Sequence, residues 1–487
     1  MNIRKKAIRG IKWSAIGEVA GKGIDFALIV VLARLLDPED FGLVAIATAF
    51  IGFATPVVTL GFPTAIVQRQ LLEDEHLDVA FWFSVVLSTG LLLATIGLAG
   101  IIAGAYDQPD LQNILAWLSI SFIFLSLSSV QQALLRRRLN FRLLTIRSLS
   151  AEVVGGVAAI AMAFHGLGVW SLVARQLISS LTSVLLLWAV CDWRPRLRFS
   201  KAHFRDLFDF VKHMVGSSFL VSAHRRSDNL IIGFFLGPAA LGYYTMAYRL
   251  FHVVLTLVGS TTSKVGMPVL ARLQTDAQRF RRVFYTMTEL TAVFALPAFL
   301  GLAVLAPEIV PILFGEKWLP SVIIVQILAL VGIVKSLIRP VSVALLSAGR
   351  PDLRFKMLAI DALFTIPAFI IGAQWGIVGV AVAYAAAQWM ISPLWFWVSK
   401  GAVDVSVSGY LRHVSPIALS ALVCAFCVAG TRALFGGAHG HMLPLVGEVL
   451  VGAFSFIIAM AWLAPKPTRQ VINVFKEFFK GGKKGSS

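Results

Sequence analysis

Apolar stretches long enough to cross a membrane recur along the entire chain. Between Trp13 and Leu463, segments of about 20 mostly apolar residues alternate with short polar segments, and a helix of about that length spans the roughly 30 Å hydrocarbon core of a bilayer. Only 14% of the residues are charged, against about 25% in ordinary soluble domains. The sequence therefore predicts an all-α polytopic membrane protein.

Hydropathy predicts about 14 transmembrane helices, of which 210–236 is the least certain because charged side chains interrupt it. Of the 43 Lys and Arg residues, 33 fall in segments that this assignment places on the inner side, and the outward loops hold only Arg34, Lys317 and Arg432. Because cytoplasmic loops are enriched in Lys and Arg, we expect both termini in the cytoplasm. The net charge of +18 is then explained by basic loops on the cytoplasmic side and does not indicate a nucleic-acid partner. The predicted helices cover residues 13–35, 42–65, 78–104, 111–135, 148–165, 167–190, 210–236, 241–265, 282–305, 320–347, 355–373, 376–398, 412–434 and 443–464.

A weak internal repeat divides the chain. Residues 36–42 read LDPEDFG and residues 236–242 read LGPAALG, so Leu, Pro and Gly coincide at one offset, and further matches follow in the same order. Chance similarity in a sequence rich in Leu, Ala and Gly is the alternative. The repeat predicts two pseudo-symmetric six-helix bundles around a central cavity, with two additional C-terminal helices, as in transporters built from parallel repeats. The predicted divisions are 1–190 for the first bundle, 191–209 for a basic cytoplasmic linker, 210–400 for the second bundle, 401–465 for helices 13 and 14, and 466–487 for a basic cytoplasmic tail.

Seven basic residues fall inside the predicted membrane helices, where an unpaired charge costs about 2.5 to 3.5 kcal/mol. Buried ion pairs or snorkelling side chains are the favoured interpretation for Arg175, Lys335 and Arg339. For Lys22, Arg225 and Arg226 we favour a place in the cavity, because they lie on the first helix of each half. The residues that we expect to bind a phosphate-bearing substrate are Lys22, Arg225, Arg226 and Arg249.

Acidic residues accompany these bases. Glu18, Lys22 and Asp25 lie on one face of the first helix by their spacing of three and four residues. Two interpretations stay open for Glu18, Asp25 and Asp228. They are either counter-ions that hold the basic side chains in place or carboxylates that bind H+ or Na+ and couple transport to an ion gradient.

Enzymatic function is not expected from this sequence. No loop is long enough for a soluble catalytic domain, no phosphate-binding loop of the Gly-x4-Gly-Lys-Ser/Thr type occurs, and no Cys/His cluster has the spacing of a structural zinc site. We therefore predict no catalytic residue, no bound metal and no cofactor, apart from a possible coupling ion.

Residues 225–250 (RRSDNLIIGFFLGPAALGYYTMAYRL) resemble the seventh and eighth helices of polysaccharide transporters in the multidrug/oligosaccharidyl-lipid/polysaccharide superfamily. Residues 32–42 (LARLLDPEDFG) are similar to the first-helix signature of the same family, and the resemblance extends over the chain in length, helix number and repeat order. The branch that the chain resembles most is the Wzx-type oligosaccharide flippases.

This resemblance implies a flippase that moves undecaprenyl-pyrophosphate-linked oligosaccharide repeat units across the bacterial inner membrane, for O-antigen, capsule or exopolysaccharide synthesis. It also implies that helices 13 and 14 help to form a groove for the lipid tail. The implied partners are the lipid-linked oligosaccharide, membrane lipids, and a polysaccharide polymerase with its chain-length machinery.

Two other functions compete with this one. A multidrug cation exporter of the same superfamily would need a cavity dominated by acids, which the surplus of intramembrane bases disfavours. A membrane polysaccharide polymerase would be expected to carry a large outward catalytic loop, but the longest outward loop here, about 306–319, is short.

Charge removal at either arginine of the pair tests the basic cavity. We expect neutral substitutions of Arg225 or Arg226 to abolish export of surface polysaccharide, because the diphosphate loses a cationic partner, while the protein stays in the membrane. Wild-type polysaccharide levels in both variants, measured beside protein abundance in the membrane fraction, would contradict the basic cavity.

Overall fold

The computed structural model describes residues 3–59, 61–198, 200–403, 405–435, 442–465 and 467. Most of the predicted basic tail, 466–487, lies outside this part of the chain. The described residues form helices joined by short connections, which confirms the all-α class. The helices are α1 (Ile3–Leu35), α2 (Pro38–Thr59), α3 (Phe62–Gln68), α4 (Asp74–Ala105), α5 (Pro109–Arg137), α6 (Phe141–Phe164), α7 (Val169–Val190), α8 (Lys201–Arg272), α9 (Ala277–Phe314), α10 (Ser321–Ser347), α11 (Pro351–Ala373), α12 (Gly376–Val403), α13 (Val407–Phe435) and α14 (Met442–Leu463).

Twelve helical segments of the described chain are long and apolar enough to cross a membrane. Two features account for the difference from the predicted number of about 14. The helix α1 has sufficient length, at 33 residues, but Glu18, Lys22 and Asp25 lie within its central turns. The helical segment α8 comprises 72 residues, which corresponds to about 108 Å measured along its two parts at 1.5 Å per residue. It covers both predicted segments 210–236 and 241–265.

The break inside α8 lies at Gly237, whose φ of 79° and ψ of 175° are not helical. Only glycine adopts this backbone region at low cost, and Pro238 follows, which cannot donate a backbone hydrogen bond to continue the helix. The same position in the first half, Asp37 followed by Pro38, separates α1 from α2. The two copies of the sequence repeat are therefore both helix breaks before a proline.

The repeated segments also contact each other. A Cβ placed on Gly42 would lie 1.7 Å from the carbonyl oxygen of Pro238, and a Cβ placed on Gly242 would lie 1.8 Å from the carbonyl oxygen of Pro38. The two contacts are reciprocal, because each repeat supplies one glycine and one proline carbonyl. Glycine is required at both positions by this close approach of two backbones.

The described residues divide by their contacts into two compact units, Met1–Thr245 and Met246–Ser487. This division differs from the predicted one at 190 and 210, because the early part of α8 packs on helices that precede it. The Tyr106 hydroxyl of α4 donates to the carbonyl of Leu230 at 3.1 Å, and Ser222 Oγ donates to the carbonyl of Gly52 at 2.8 Å.

Helix packing within each unit follows the same pattern. In the first unit α4 packs on α5, α5 on α6 and α7, and α6 on α7. In the second unit α9 packs on α10, α10 on α11 and α12, and α11 on α12. The helices α13 and α14 pack on each other and on α9. The repeat seen in the sequence is therefore also present in the packing, because corresponding helices of the two units have corresponding neighbours.

The basic segment before α8 is fixed on the acidic start of α4. The carboxylate Oδ1 of Asp78 accepts from the backbone N–H of Arg196 at 3.0 Å, and Arg198 pairs with Glu75 at 3.4 Å. The helix α8 begins at Lys201, within the predicted linker 191–209, after Ser200, whose carbonyl accepts the first helical N–H. These contacts give the acidic residues at the start of α4 partners in the basic segment before α8.

Replacement of Gly42 by Ala tests the reciprocal contact. We expect Gly42→Ala to destabilise the purified protein by about 1 to 3 kcal/mol, the usual cost of overpacking, because the new methyl group overlaps the Pro238 carbonyl. Gly97→Ala in α4 is the matched control, since nothing lies within 4 Å of a Cβ there and alanine favours the helix. Equal thermal unfolding temperatures for the two variants in detergent would contradict the contact.

Candidate functional site

Three helices of the first unit contribute to one ionic cluster. Arg175 of α7 donates from Nη2 to carboxylate oxygens of both Asp25 on α1 and Glu152 on α6. The Arg175 side chain is 14% exposed, the Glu152 side chain 28% and the Asp25 side chain 46%. The position of Asp25 follows from the packing of α1 on α6, where Gly17 lies against Thr145. In the structure, Asp25 is a counter-ion of Arg175.

Arg226 lies against α2. Its Nη1 donates to the carbonyl of Thr48 at 3.0 Å, and a Cβ on Gly52 would lie 2.0 Å from the guanidinium carbon. The absence of a side chain at Gly52 therefore makes room for the guanidinium, and the helix backbone supplies its partner. Part of the hydrogen-bonding capacity of Arg226 is thus taken up inside the protein.

Lys22 and Arg225 are placed differently. Both side chains are exposed, and among the described residues neither has a carboxylate within ion-pair distance. Asp228 is buried, accepts the backbone N–H of Asn229 at 2.8 Å, and is a charged neighbour of Arg226. A charge inside a membrane is costly unless water, a counter-ion or a ligand meets it, and no carboxylate of the described chain neutralises Lys22 or Arg225.

The other predicted residues lie either within the first unit or within the second unit. Glu18 is half-buried on α1, and Arg249 is half-buried on α8 within the second unit. Arg339 donates to the carbonyl of Leu255 at 3.3 Å, and the Lys335 ammonium lies 5.3 Å from the centre of the Tyr384 ring. The three bases interpreted as structural, Arg175, Lys335 and Arg339, thus each have an internal partner.

Sequence reasoning missed which acid meets which base. Spacing along α1 shows that Lys22 and Asp25 share a face, but only packing brings Asp25 to Arg175, which is 150 residues away. Likewise, nothing near Arg226 in the sequence indicates Thr48 as its partner. Gly52 was the one available signal, because a glycine inside an apolar helix frequently marks a close approach.

The fold defines a class: a polytopic helical membrane protein in which one pattern of helix packing is repeated in two units. Residues 31–323, more than half of the chain, match the family described as "Polysaccharide biosynthesis protein". The chain belongs to this family, which confirms the resemblance found in residues 225–250.

Relatives and a solved structure agree with this assignment. The lipopolysaccharide biosynthesis protein WzxC of Escherichia coli (strain K12) is 28% identical over 80% of each chain. The teichuronic acid biosynthesis protein TuaB of Bacillus subtilis (strain 168) is 26% identical over 97% of this chain and 98% of its own. The lipid II flippase MurJ, in an inward closed conformation, shares the fold with a TM-score of 0.74 over 93% of this chain and 98% of its own, at 16% identity.

Removal of Arg175 tests the ionic cluster. We expect Arg175→Gln to lower the free energy of unfolding by about 1 to 3 kcal/mol, because two carboxylates lose their counter-ion. The partial exposure of these carboxylates to solvent limits the cost of leaving them unpaired. The variant that also carries Asp25→Asn and Glu152→Gln should recover much of the loss, since no unpaired charge remains. Thermal unfolding that is unchanged in Arg175→Gln would show that the cluster contributes nothing to stability.

Proposed function

We propose that this protein is a flippase that moves undecaprenyl-pyrophosphate-linked oligosaccharide repeat units from the cytoplasmic to the periplasmic leaflet of the bacterial inner membrane. The observation that carries the proposal is the exposure of Lys22 on α1 and of Arg225 at the start of a candidate membrane span, with no carboxylate partner for either in the described chain. Family membership and relatives named for lipopolysaccharide and teichuronic acid biosynthesis support the substrate class.

The chemistry of a diphosphate fits these two residues. A diphosphate inside the membrane needs cations to replace water, and a guanidinium offers a planar fork that binds two phosphate oxygens at once. Arg175 is already engaged by two carboxylates, and Arg226 is partly engaged by the Thr48 carbonyl. We therefore assign the primary diphosphate contacts to Arg225 and Lys22, with Arg226 as a supporting residue and Arg249 as a further candidate.

Transport requires that these contacts form on one side of the membrane and break on the other. The sugar-diphosphate head would bind to the basic residues when they face the cytoplasm and leave when the bundles expose them outward, while the lipid tail stays in the bilayer. No covalent bond changes, so the proposal includes no enzymatic step. Coupling to an H+ or Na+ gradient remains part of the proposal. Its candidate carboxylates are Glu18 and Asp228, whereas the contact of Asp25 with Arg175 favours a counter-ion role.

The same proposal includes an orientation with both termini in the cytoplasm. It also includes a polysaccharide polymerase and its chain-length machinery as protein partners. The 33 inner Lys and Arg residues support the orientation.

Paired substitutions separate substrate binding from structure. We expect Arg225→Gln to lower export about tenfold or more, as loss of a charged hydrogen bond of about 1.5 to 3 kcal/mol implies, with no change in thermal unfolding. Arg226→Gln should lower both export and stability, because Thr48 loses its donor. Surface polysaccharide in a host strain that lacks its own flippase is the measurement. Lys356→Gln, at an exposed position of α11, is the control, and normal export by Arg225→Gln would refute the assignment.

Cysteine labelling tests the orientation. In a protein whose three cysteines are replaced, single cysteines are placed at Leu197, 88% exposed before α8, and at Leu319, 51% exposed between α9 and α10. A membrane-impermeant thiol reagent added to intact spheroplasts should label Leu319→Cys, and should label Leu197→Cys only after lysis. The reverse pattern would show the opposite orientation.

A further inference from the structure

A histidine–carboxylate contact and an arginine–carboxylate ion pair join α9 to α13 in the second unit. Glu289 Oε1 lies 2.5 Å from His413 Nδ1, and Glu308 Oε1 lies 2.8 Å from Arg432 Nε. On both helices the second residue follows the first by 19 positions, from 289 to 308 and from 413 to 432. At 1.5 Å per residue this is about 28 Å, close to the thickness of the hydrocarbon core. The pairs therefore lie toward opposite membrane faces.

A third charged residue approaches only one of these pairs. Glu448 of α14 is 9% exposed and Glu308 is 3% exposed, and the charged neighbours of Glu448 within the described chain are Glu308 and Arg432. Arg432 is the single cation, and its Nη1 is engaged with the carbonyl of Val304 at 3.1 Å. With both carboxylates ionised, the group carries one surplus negative charge.

Three carboxylate oxygens in this group, Glu308 Oε1, Glu308 Oε2 and Glu448 Oε2, are buried without a hydrogen-bond partner among the described residues. Of these, Glu308 Oε1 lies within ion-pair distance of Arg432 Nε. The surroundings are apolar, since Leu305 and Val428 belong to a buried cluster against which Leu445 packs. A surplus charge in such surroundings is strongly disfavoured, and two neighbouring carboxylates commonly respond by sharing one proton.

We propose that Glu448, Glu308 and Arg432 form a proton-binding site in which Glu448 takes up one proton. The proton removes the surplus charge and converts a buried carboxylate oxygen into a hydroxyl that donates to the Glu308 carboxylate. The apolar side chains around the group supply no further oxygen ligands, which favours a proton over Na+. Arg432 pairs with Glu308, so one proton on Glu448 balances the charge of the group.

The site lies near the ends of its helices, and its protonation affects how these helices pack. Glu308 lies six residues before the end of α9 and Glu448 six residues after the start of α14, about 9 Å along each helix axis. The site is therefore near one membrane face, the outward one in the predicted topology. Loss of the proton restores repulsion between Glu448 and Glu308, which loosens α14 from α9. The link between this movement and export rests on the proposed function.

Infrared spectroscopy of the full-length protein in lipid nanodiscs tests the site without any transport assay. At neutral pH the wild type should show a carbonyl band of a protonated carboxyl group that both Glu448→Gln and Glu308→Gln lose. Either change leaves one carboxylate for one guanidinium, so no proton is needed. Glu316→Gln, which removes an exposed carboxylate on the same side of the membrane, should keep the band. A band that persists in both buried variants would overturn the proposal.

Sodium provides a second arm of this experiment. Addition of Na+ at constant pH, with K+ as the ionic-strength control, should leave the carbonyl band unchanged. A band that Na+ selectively removes would show a sodium site instead and would overturn the assignment of a proton.

Export measured under an imposed pH gradient tests the link to transport. Wild-type export should change with the gradient, and Glu448→Gln, which mimics the protonated state permanently, should lose that dependence. Equal gradient dependence in both proteins would overturn the link. Failure of the wild type to export oligosaccharide would instead contradict the proposed function, while the infrared result would still decide whether the proton site exists.

Discussion

The cost of a charge in hydrocarbon is the constraint on which the rest of this structure depends. A membrane helix accepts a basic side chain only where a carboxylate, a backbone carbonyl, an aromatic face or water receives it. The chain uses three of these solutions for its internal bases, as the partners of Arg175, Arg226 and Lys335 show. Lys22 and Arg225 have none of these partners among the described residues, and they are the residues proposed to bind the substrate.

Helix geometry is controlled by a second, smaller set of residues. The breaks before Pro38 and Pro238 turn one repeated sequence into equivalent helix junctions, and the glycines at 42 and 242 let the two junctions approach through their backbones. Side chains could not make this contact at the same distance. The same repeat then appears in the order of neighbours, where α4 to α7 and α9 to α12 pack in one pattern.

The two proposals concern different units and charge imbalances of opposite sign. In the first unit, the exposed bases Lys22 and Arg225 are proposed to bind the diphosphate of a lipid-linked oligosaccharide. In the second unit, Glu448 adds a buried carboxylate to an ion pair that was already balanced. A surplus of positive charge calls for an anion, and a surplus of negative charge calls for a proton, so both proposals follow from one principle applied to opposite signs.

The sequence by itself determined the membrane class, the approximate helix boundaries and the repeat, because apolar length and the order of Leu, Pro and Gly are local properties of the chain. It also predicted a few charged residues within the apolar segments as candidate functional residues. Only the tertiary structure decided which of them are neutralised, because Asp25 and Arg175 are 150 residues apart and Arg226 meets the carbonyl of Thr48 through helix packing. Partners across helices depend on rotation and register, which hydropathy does not encode.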